Sequence, residues 1–192
     1  MNKIILASAS PRRRALLEQI GLEFEVIPSH IEEKTKSCEP CQMVMELSAM
    51  KATDIFESLS EEKRKSAVVA GADTVVAFQD QVLGKPFSRQ RAEEMLTLLQ
   101  GKTHQVYTGV TLICQKEKEP VQVSFYEKTD VVMYSMTKQE IQAYVDTGEP
   151  MDKAGAYGIQ GKCAAFIKEI RGDYYNVVGL PLGRLYQEMK KL

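Results

Sequence analysis

The 192-residue sequence lacks several features that mark common functional classes: it has no tryptophan, only two histidines and a net charge of −1. With so few histidines, and no nucleophile signal beside either, a Ser-His-Asp or Cys-His arrangement is not indicated. The near-zero charge offers no broad basic surface for nucleic acid or an anionic membrane. No apolar run approaches the roughly 18–20 residues that span a bilayer, and the first residues show no signal-peptide pattern. We therefore expect a cytoplasmic protein.

Cysteine is also scarce, with four residues, two of them in Cys38-Glu39-Pro40-Cys41. A thioredoxin-type CxxC follows a strand and opens a helix, whereas residues 29–37 here are polar and charged. A structural zinc site needs a second ligand pair, and Cys114 and Cys163 stand alone. Reduced, inert thiols are the interpretation that we favour over a redox or zinc site.

The distribution of apolar residues predicts a mixed α/β fold. Strands are expected at 3–7, 24–28, 67–78, 104–115 and 121–135, with a hairpin over 164–180 around Arg171-Gly172-Asp173. Helices are expected at 10–20, 40–59, 88–101, 137–148 and after Pro181. Strands cluster in pairs instead of alternating with helices, so the sheet should be mixed. No repeat or linker divides the chain, which predicts a single domain over 1–192.

Three consecutive arginines, Arg12 to Arg14, stand at the start of the first helix, which Ser10 caps and Pro11 opens. The helix dipole already places positive partial charge at this end, so each cation there costs roughly 0.3–1 kcal/mol. A bound anion would turn that cost into an attraction. The pattern therefore predicts an anion site at this helix start.

Asp73 is the strongest interior signal, because apolar runs flank it on both sides in the strand 67–78. A buried, unpaired carboxylate costs several kcal/mol, so it must be hydrogen-bonded, paired or bound to a cation. Gly71 would let another group or a ligand approach the backbone. Lys51, on the apolar stripe of helix 40–59, and Lys85, in the turn LGKP, are candidate partners of a phosphate group. An aspartate satisfied by backbone amides, and a lysine that merely snorkels to solvent, are the structural alternatives.

The segment 151–161, MDKAGAYGIQG, holds three glycines within seven residues. Such a segment suits a backbone close to a ligand, and a tight turn equally well. Gln160 within it can donate and accept hydrogen bonds, as reading a base edge requires. Glu32 and Glu33 lie in a loop, and if they face Asp73 two carboxylates could hold Mg²⁺ or Mn²⁺. Together these residues predict phosphate-ester or phosphoanhydride chemistry.

Five motifs carry a resemblance to a known family: LASASPRRRALL, GADTVV, LGKP, EPMDKAGAYGIQG and GDYYNVVGLP. In order and spacing, over about residues 3–185, they resemble the Maf family, also called septum formation proteins. The resemblance implies a fold similar to the inosine triphosphatase group: an elongated, twisted mixed sheet with flanking helices and two lobes around a central cleft. It further implies metal-dependent cleavage of dTTP and UTP, as opposed to the 7-methyl-GTP of a sister group, to the monophosphate and pyrophosphate. A homodimer is also expected.

The resemblance assigns roles to individual positions. Asp73 is the expected proton acceptor, with Lys51 and Lys85 as further catalytic residues, and Glu33 and Asp73 are the expected metal ligands. Substrate choice is expected at Arg12, Thr74 and Gln160. The remaining expected substrate-binding residues are Ser8, Ser10, Arg13 and Lys153. Arg14 should point to solvent, because adjacent helical residues lie about 100° apart.

Two other classes of function stay open at this point. The first is a nucleotide-binding regulatory protein linked to cell division without significant turnover, although nucleotide binding alone does not need a buried aspartate. The second is a nucleic-acid-binding protein, which would depend on Arg12 to Arg14 alone and would show steeply salt-dependent binding. Metal-dependent product formation separates the enzyme from both.

Overall fold

The computed structural model describes residues 3–79, 81–117 and 119–192, which form a mixed α/β structure. The strands are β1 (Lys3–Leu6), β2 (Phe24–Val26), β3 (Ala67–Phe78), β4 (Gln81–Leu83), β5 (Thr103–Lys116), β6 (Glu119–Met133) and β7 (Ile167–Arg171). The helices are α1 (Pro11–Gln19), α2 (Pro40–Ser58), α3 (Glu61–Ser66), α4 (Arg89–Leu99), α5 (Lys138–Asp146), α6 (Tyr174–Val178) and α7 (Leu182–Met189). Short 3-10 segments occur at Glu149–Asp152, Ala154–Ala156 and Lys162–Phe166.

The strands form a sheet in the order β2-β1-β3-β5-β6-β7, and β4 pairs with β3. β1 runs parallel to both β2 and β3, whereas β4 and β7 pair antiparallel with β3 and β6. The predicted mixed sheet with flanking helices is therefore confirmed. Among the described residues, no helix combines the length and the apolar character that a membrane span requires.

The chain divides into two compact units. The first unit contains the residues up to Asp73 together with 108–127 and 179–192, and the second unit contains 74–107 and 128–178. The buried residues of the second unit include Leu96 and Leu99 of α4 and Tyr144 of α5. Helix α5 begins as predicted, since Thr137 and Glu140 form a reciprocal capping box.

In the first unit, helix α2 packs directly against strands β3 and β5. A Cβ atom at Gly71 would lie 2.2 Å from the Ser48 carbonyl oxygen, and one at Gly109 would lie 2.3 Å from the Val44 carbonyl oxygen. Gly71 is thus required for helix packing, not for the approach of a ligand. The hydroxyls of Ser48 and Thr111 are 2.9 Å apart, and this buried hydrogen bond also joins α2 to β5.

The hairpin predicted around Arg171-Gly172-Asp173 is wrong in its second half, since residues 174–178 form helix α6 instead of a strand. The Asp173 carboxylate accepts a hydrogen bond from the Tyr175 amide at 2.8 Å, as a capping residue does. Asn176 is fully buried, and its amide donates to the Val106 carbonyl and to Thr129 Oγ1 at 3.0 and 2.8 Å. These tertiary hydrogen bonds prevail over the strand propensity of the valines that follow.

Replacing Gly71 with alanine should destabilise the fold by about 3 kcal/mol or more, because the new methyl group would meet the backbone of α2. Urea unfolding at pH 7 measures the free energy. Gly183→Ala in α7 is the matched control, since nothing lies within 4 Å of its Cβ position, and it should stabilise by about 0.5 kcal/mol. Equal effects of the two substitutions would contradict the close approach.

His104 should make the stability of the protein fall at acidic pH. Burial lowers its pKa to about 4, an effect that the charge of Asp130 only partly offsets, and its Nε2 lies 2.7 Å from the Tyr157 hydroxyl. The unfolded chain therefore takes up a proton first, and the contribution of His104 is lost as pH falls from 6.5 towards 4. Between pH 7 and 5, His104→Gln should lose about 2 kcal/mol less unfolding free energy than the parent. Parallel pH curves would refute this.

Candidate active site

Lys51 joins two carboxylates in the first unit. Its Nζ lies 2.6 Å from Asp73 Oδ1 and 2.9 Å from Glu33 Oε1. The side chains of Lys51 and Asp73 are each 12% exposed, whereas that of Glu33 is 54% exposed. Ammonium and carboxylate at such separations form charge-assisted hydrogen bonds. The buried Asp73 is therefore paired with a cation.

The packing of helix α2 on strand β3 brings Lys51 to Asp73. Gly71 and Asp73 lie on the same face of β3, because side chains alternate along a strand. A side chain at Gly71 would meet Ser48 and Ala52, and Ser48 lies three residues before Lys51 on the same side of α2. The close approach at Gly71 thus directs Lys51 towards the carboxylate two residues further along the strand.

The loop that carries Glu33 is held to α2 at both of its ends. Ser29 Oγ donates to Asp54 Oδ2 at 2.6 Å, and the hydroxyls of Thr35 and Ser37 both donate to the Glu46 carboxylate. These hydroxyls keep the pKa of Glu46 below its usual value. Glu33 is thereby held beside the helix that presents Lys51.

Glu32, the other member of the acidic pair, does not join this group. Its carboxylate lies 2.8 Å from Lys34 Nζ, and both side chains are largely exposed. Only Glu33 of the pair therefore shares the Lys51 ammonium with Asp73.

Arg13 is a buried cross-link at the start of helix α1. Its Nε donates to the Gly179 carbonyl at 2.8 Å, and its Nη1 donates to Ala72 O and Ser8 Oγ at 2.9 and 3.0 Å. Burial lowers the pKa of Arg13, an effect that the negative charge of Asp73 opposes. Because Ala72 directly precedes Asp73, this contact fixes the backbone beside the carboxylate.

Two expectations for this helix start are confirmed, the N-cap at Ser10 and the exposure of Arg14. Ser10 caps α1, accepting from the Arg13 amide at 3.5 Å. Arg14 is exposed and pairs with Glu18 at 2.9 Å, so it points to solvent as predicted. Arg12 is half-buried.

In the second unit, the expected substrate-binding residues lie on two neighbouring segments and on β3. Lys85 is exposed in the turn after β4, and the Gly84 carbonyl accepts from the Gly155 amide at 3.1 Å. Lys153 is held by the Glu149 carbonyl and Asp152 Oδ1, at 2.6 and 2.7 Å from its Nζ. Gln160 is exposed, and Thr74, in β3, is half-buried.

The three glycines of segment 151–161 face protein groups. Gly155 has φ +67°, and its Cβ position lies 2.8 Å from Val76 Cγ2. The corresponding positions at Gly158 and Gly161 lie 2.5 Å from Lys153 Cε and 2.0 Å from Glu149 Oε1. Of the two interpretations of this segment, the structure thus favours a tight turn whose glycines pack against protein side chains.

The two carboxylates of the site are the kind of oxygen ligand that a hard divalent cation prefers. Mg²⁺ is usually held by one or two carboxylates together with substrate phosphates, and Asp73 and Glu33 supply two carboxylates beside one ammonium. In the part of the chain that the structure describes, no group of three or more His, Cys, Asp or Glu side chains is arranged to hold a metal ion.

The thiols of Cys38 and Cys41 are free.

Comparison with known proteins shows matches over the full length. A family model described as Maf-like protein matches residues 3–192. A dTTP/UTP pyrophosphatase of Agathobacter rectalis is 53% identical, covering 100% of this chain and 98% of that protein. Proteins of the same name from Bacillus anthracis and Lachnoclostridium phytofermentans are 50% and 48% identical, over all of this chain and 96% and 95% of theirs.

Among solved structures, the Staphylococcus aureus Ham1 protein is similar with a TM-score of 0.36 and 13% identity, covering 80% of this chain and 85% of that one.

Replacing Arg13 with alanine should destabilise the fold by about 3 kcal/mol, because two buried carbonyls would lose their donor. Urea unfolding of the purified variant measures the loss. Arg14→Ala is the matched control and should change stability by less than about 0.5 kcal/mol, since it removes only an exposed pair. If Arg13→Ala were as mild as Arg14→Ala, the cross-linking role would be refuted.

Proposed function

The chain belongs to the Maf family, and we propose that it hydrolyses dTTP and UTP to the nucleoside monophosphate and pyrophosphate. The observation that carries the proposal is the Lys51–Asp73 pair, a carboxylate and an ammonium almost fully removed from solvent. Buried ionised groups are costly to maintain and cluster at functional sites. The choice of dTTP and UTP is supported by full-length relatives of that name at about 50% identity.

In this proposal Asp73 accepts a proton from the attacking water. The water oxygen forms a bond to the α-phosphorus as the bond to the bridging oxygen breaks, and pyrophosphate departs with the electron pair. Lys51, on Asp73 Oδ1, holds the carboxylate so that its second oxygen faces the water. General-base catalysis of this kind contributes roughly 10²–10⁴-fold to a rate.

As the alternative role of Asp73, we propose that its free oxygen binds the Mg²⁺ or Mn²⁺ that accompanies the triphosphate, and that Glu33 helps to hold the same cation. Such a cation polarises phosphoryl oxygens and offsets the charge that develops on them. Lys51 engages one oxygen of each carboxylate. The protein's own contribution here is to bring the two acidic groups to one ammonium.

The remaining residues are proposed as substrate contacts. Neutralisation of phosphate charge and hydrogen bonding to phosphate oxygens are assigned to Arg12, Arg13, Lys85, Lys153, Ser8 and Ser10. Arg13, whose guanidinium contacts Ser8 and Ala72, acts through its charge. Thr74 and Gln160 select the pyrimidine, since a side-chain amide complements the carbonyl and N–H edge of uracil or thymine. We further propose that residues 1–192 act as one domain and that the protein works in the cytoplasm. The expected homodimer stays a prediction.

The test is to incubate the purified protein with a panel of nucleoside triphosphates and Mg²⁺ or Mn²⁺, resolving the products by chromatography. Monophosphate and pyrophosphate should form from dTTP and UTP. Asp73→Asn should lower turnover roughly 100-fold or more, because the proton acceptor is lost. Glu33→Gln should also lower activity, whereas Glu32→Gln, the matched control on an exposed neighbour, should leave it unchanged.

Three outcomes would contradict the proposal. Diphosphate and phosphate as products would place the cleaved bond elsewhere. Tight nucleotide binding without turnover would instead favour a regulatory nucleotide-binding protein. A folded Asp73→Asn variant with normal turnover would remove Asp73 from the mechanism.

A further inference from the structure

The carboxylate of Glu149 joins a helix to the loop that presents Gln160. Its Oε1 accepts a hydrogen bond from the Tyr144 hydroxyl of α5 at 2.9 Å, and its Oε2 accepts from the Lys162 amide at 3.0 Å. The Cβ position of Gly161 lies 2.0 Å from Glu149 Oε1, so any side chain there would displace the carboxylate. Glu149 therefore determines where the end of this loop lies.

Tyr144 extends the same network to the beginning of the loop. Its hydroxyl oxygen accepts from the Gly158 amide at 3.2 Å while it donates to Glu149. Burial raises the pKa of Tyr144, so the hydroxyl keeps its proton and can donate. Gln160 thus lies between two anchored amides, those of Gly158 and Lys162.

The turn between the two anchors closes on itself. The Gly161 amide donates to the Gly158 carbonyl at 3.2 Å, across Ile159 and Gln160. Gln160 is exposed, so its own side chain is not what holds the turn in place. The orientation of Gln160 is set instead by the backbone groups on either side.

We propose that Glu149 is a positioning residue that fixes Gln160 for recognition of the pyrimidine base, with Tyr144 as its partner. This inference rests on the proposed function, in which Gln160 reads the base. The same residue also holds Lys153, whose Nζ donates to the Glu149 carbonyl at 2.6 Å. One residue thereby links two of the expected substrate contacts.

The chemistry of the network requires a carboxylate. Glu149 accepts from an O–H and an N–H at once, one on each oxygen. A glutamine has one acceptor oxygen and an NH₂ group that would face a donor. Glu149→Gln, nearly identical in size, should therefore release either Tyr144 or the Lys162 amide.

The experiment compares kcat/KM for dTTP with kcat/KM for dCTP, whose base presents an amino group where thymine presents a carbonyl. Glu149→Gln should lower the dTTP to dCTP ratio about tenfold, mainly through the KM for dTTP, as expected when a base-reading hydrogen bond is misplaced. Gln160→Ala should lower the ratio similarly. In the double variant the two effects should not add, because Glu149 acts through Gln160.

Asp146→Asn is the matched control, since it removes one negative charge three residues earlier from an exposed pair with Arg89. It should leave the ratio unchanged. Amide hydrogen exchange gives a readout independent of activity: exchange at Lys162 and Gly158 should speed up about tenfold or more in Glu149→Gln, because the anchors open more often. Tyr144→Phe removes the hydroxyl that contacts Glu149 and the Gly158 amide. It replaces Glu149→Gln in the same measurements if Glu149→Gln does not fold.

The outcomes separate the inference from the function on which it rests. No turnover of dTTP by the parent enzyme would overturn the proposed function and this inference with it. Turnover with an unchanged dTTP to dCTP ratio in Glu149→Gln would overturn the inference alone. Additive losses in the double variant would do the same, since they would show that Glu149 acts independently of Gln160.

Discussion

The packing of helix α2 against the sheet at Gly71 and Gly109 is the constraint on which the candidate active site depends. Backbone atoms of the helix occupy the space that a side chain at either position would need. This approach directs Lys51 towards Asp73, and the loop tied to α2 carries Glu33 to the same ammonium. A methyl group at either glycine would hold the helix further from the sheet. Lys51 and Asp73 would then be separated, and each charge would be left buried without its partner.

Burial of charge around Asp73 is tolerated because each charge has a partner. A buried ion that loses its partner costs several kcal/mol, and here the Asp73 carboxylate contacts Lys51. The Arg13 guanidinium donates to two backbone carbonyls and a hydroxyl. The helix start that the sequence marks as unfavourable for arginine thus contains one cation that stabilises the interior and one, Arg14, that pairs at the surface.

In the second unit, an irregular loop presents an exposed side chain, that of Gln160. Segment 151–161 has little regular structure, yet its glycines lie against Val76, Lys153 and Glu149. The Tyr144 hydroxyl and the Glu149 carboxylate accept hydrogen bonds from backbone amides of this region, bonds that a helix or strand would otherwise provide. A loop ordered in this way can expose Gln160 while its backbone stays fixed.

Local signals in the sequence predicted most of the helices and strands and the kind of chemistry that the candidate residues suit. Ser10, Thr137 and the apolar run at 67–78 mark a helix start, a capping box and a strand at their observed positions, because caps and periodicity act between near neighbours. Helix α3 was not predicted, because none of its residues is buried and its sequence therefore shows no apolar stripe. The strand predicted at 174–180 was wrong. Asn176 is held by hydrogen bonds to partners 47 and 70 residues away, which local sequence signals do not reveal.

Asp73 and Lys51 were identifiable from the sequence as candidates, since a carboxylate inside an apolar strand and a lysine on an apolar stripe are unusual residue types for their surroundings. Glu33 was a candidate only as part of an acidic pair in a loop and through the family resemblance. Only the tertiary structure decided that Lys51 binds both carboxylates, that Arg13 lies in the interior, and that Glu149 secures the Gln160 loop. The reason is physical: composition and spacing report what each residue would cost to bury, whereas its partner is set by contacts between segments far apart in the chain.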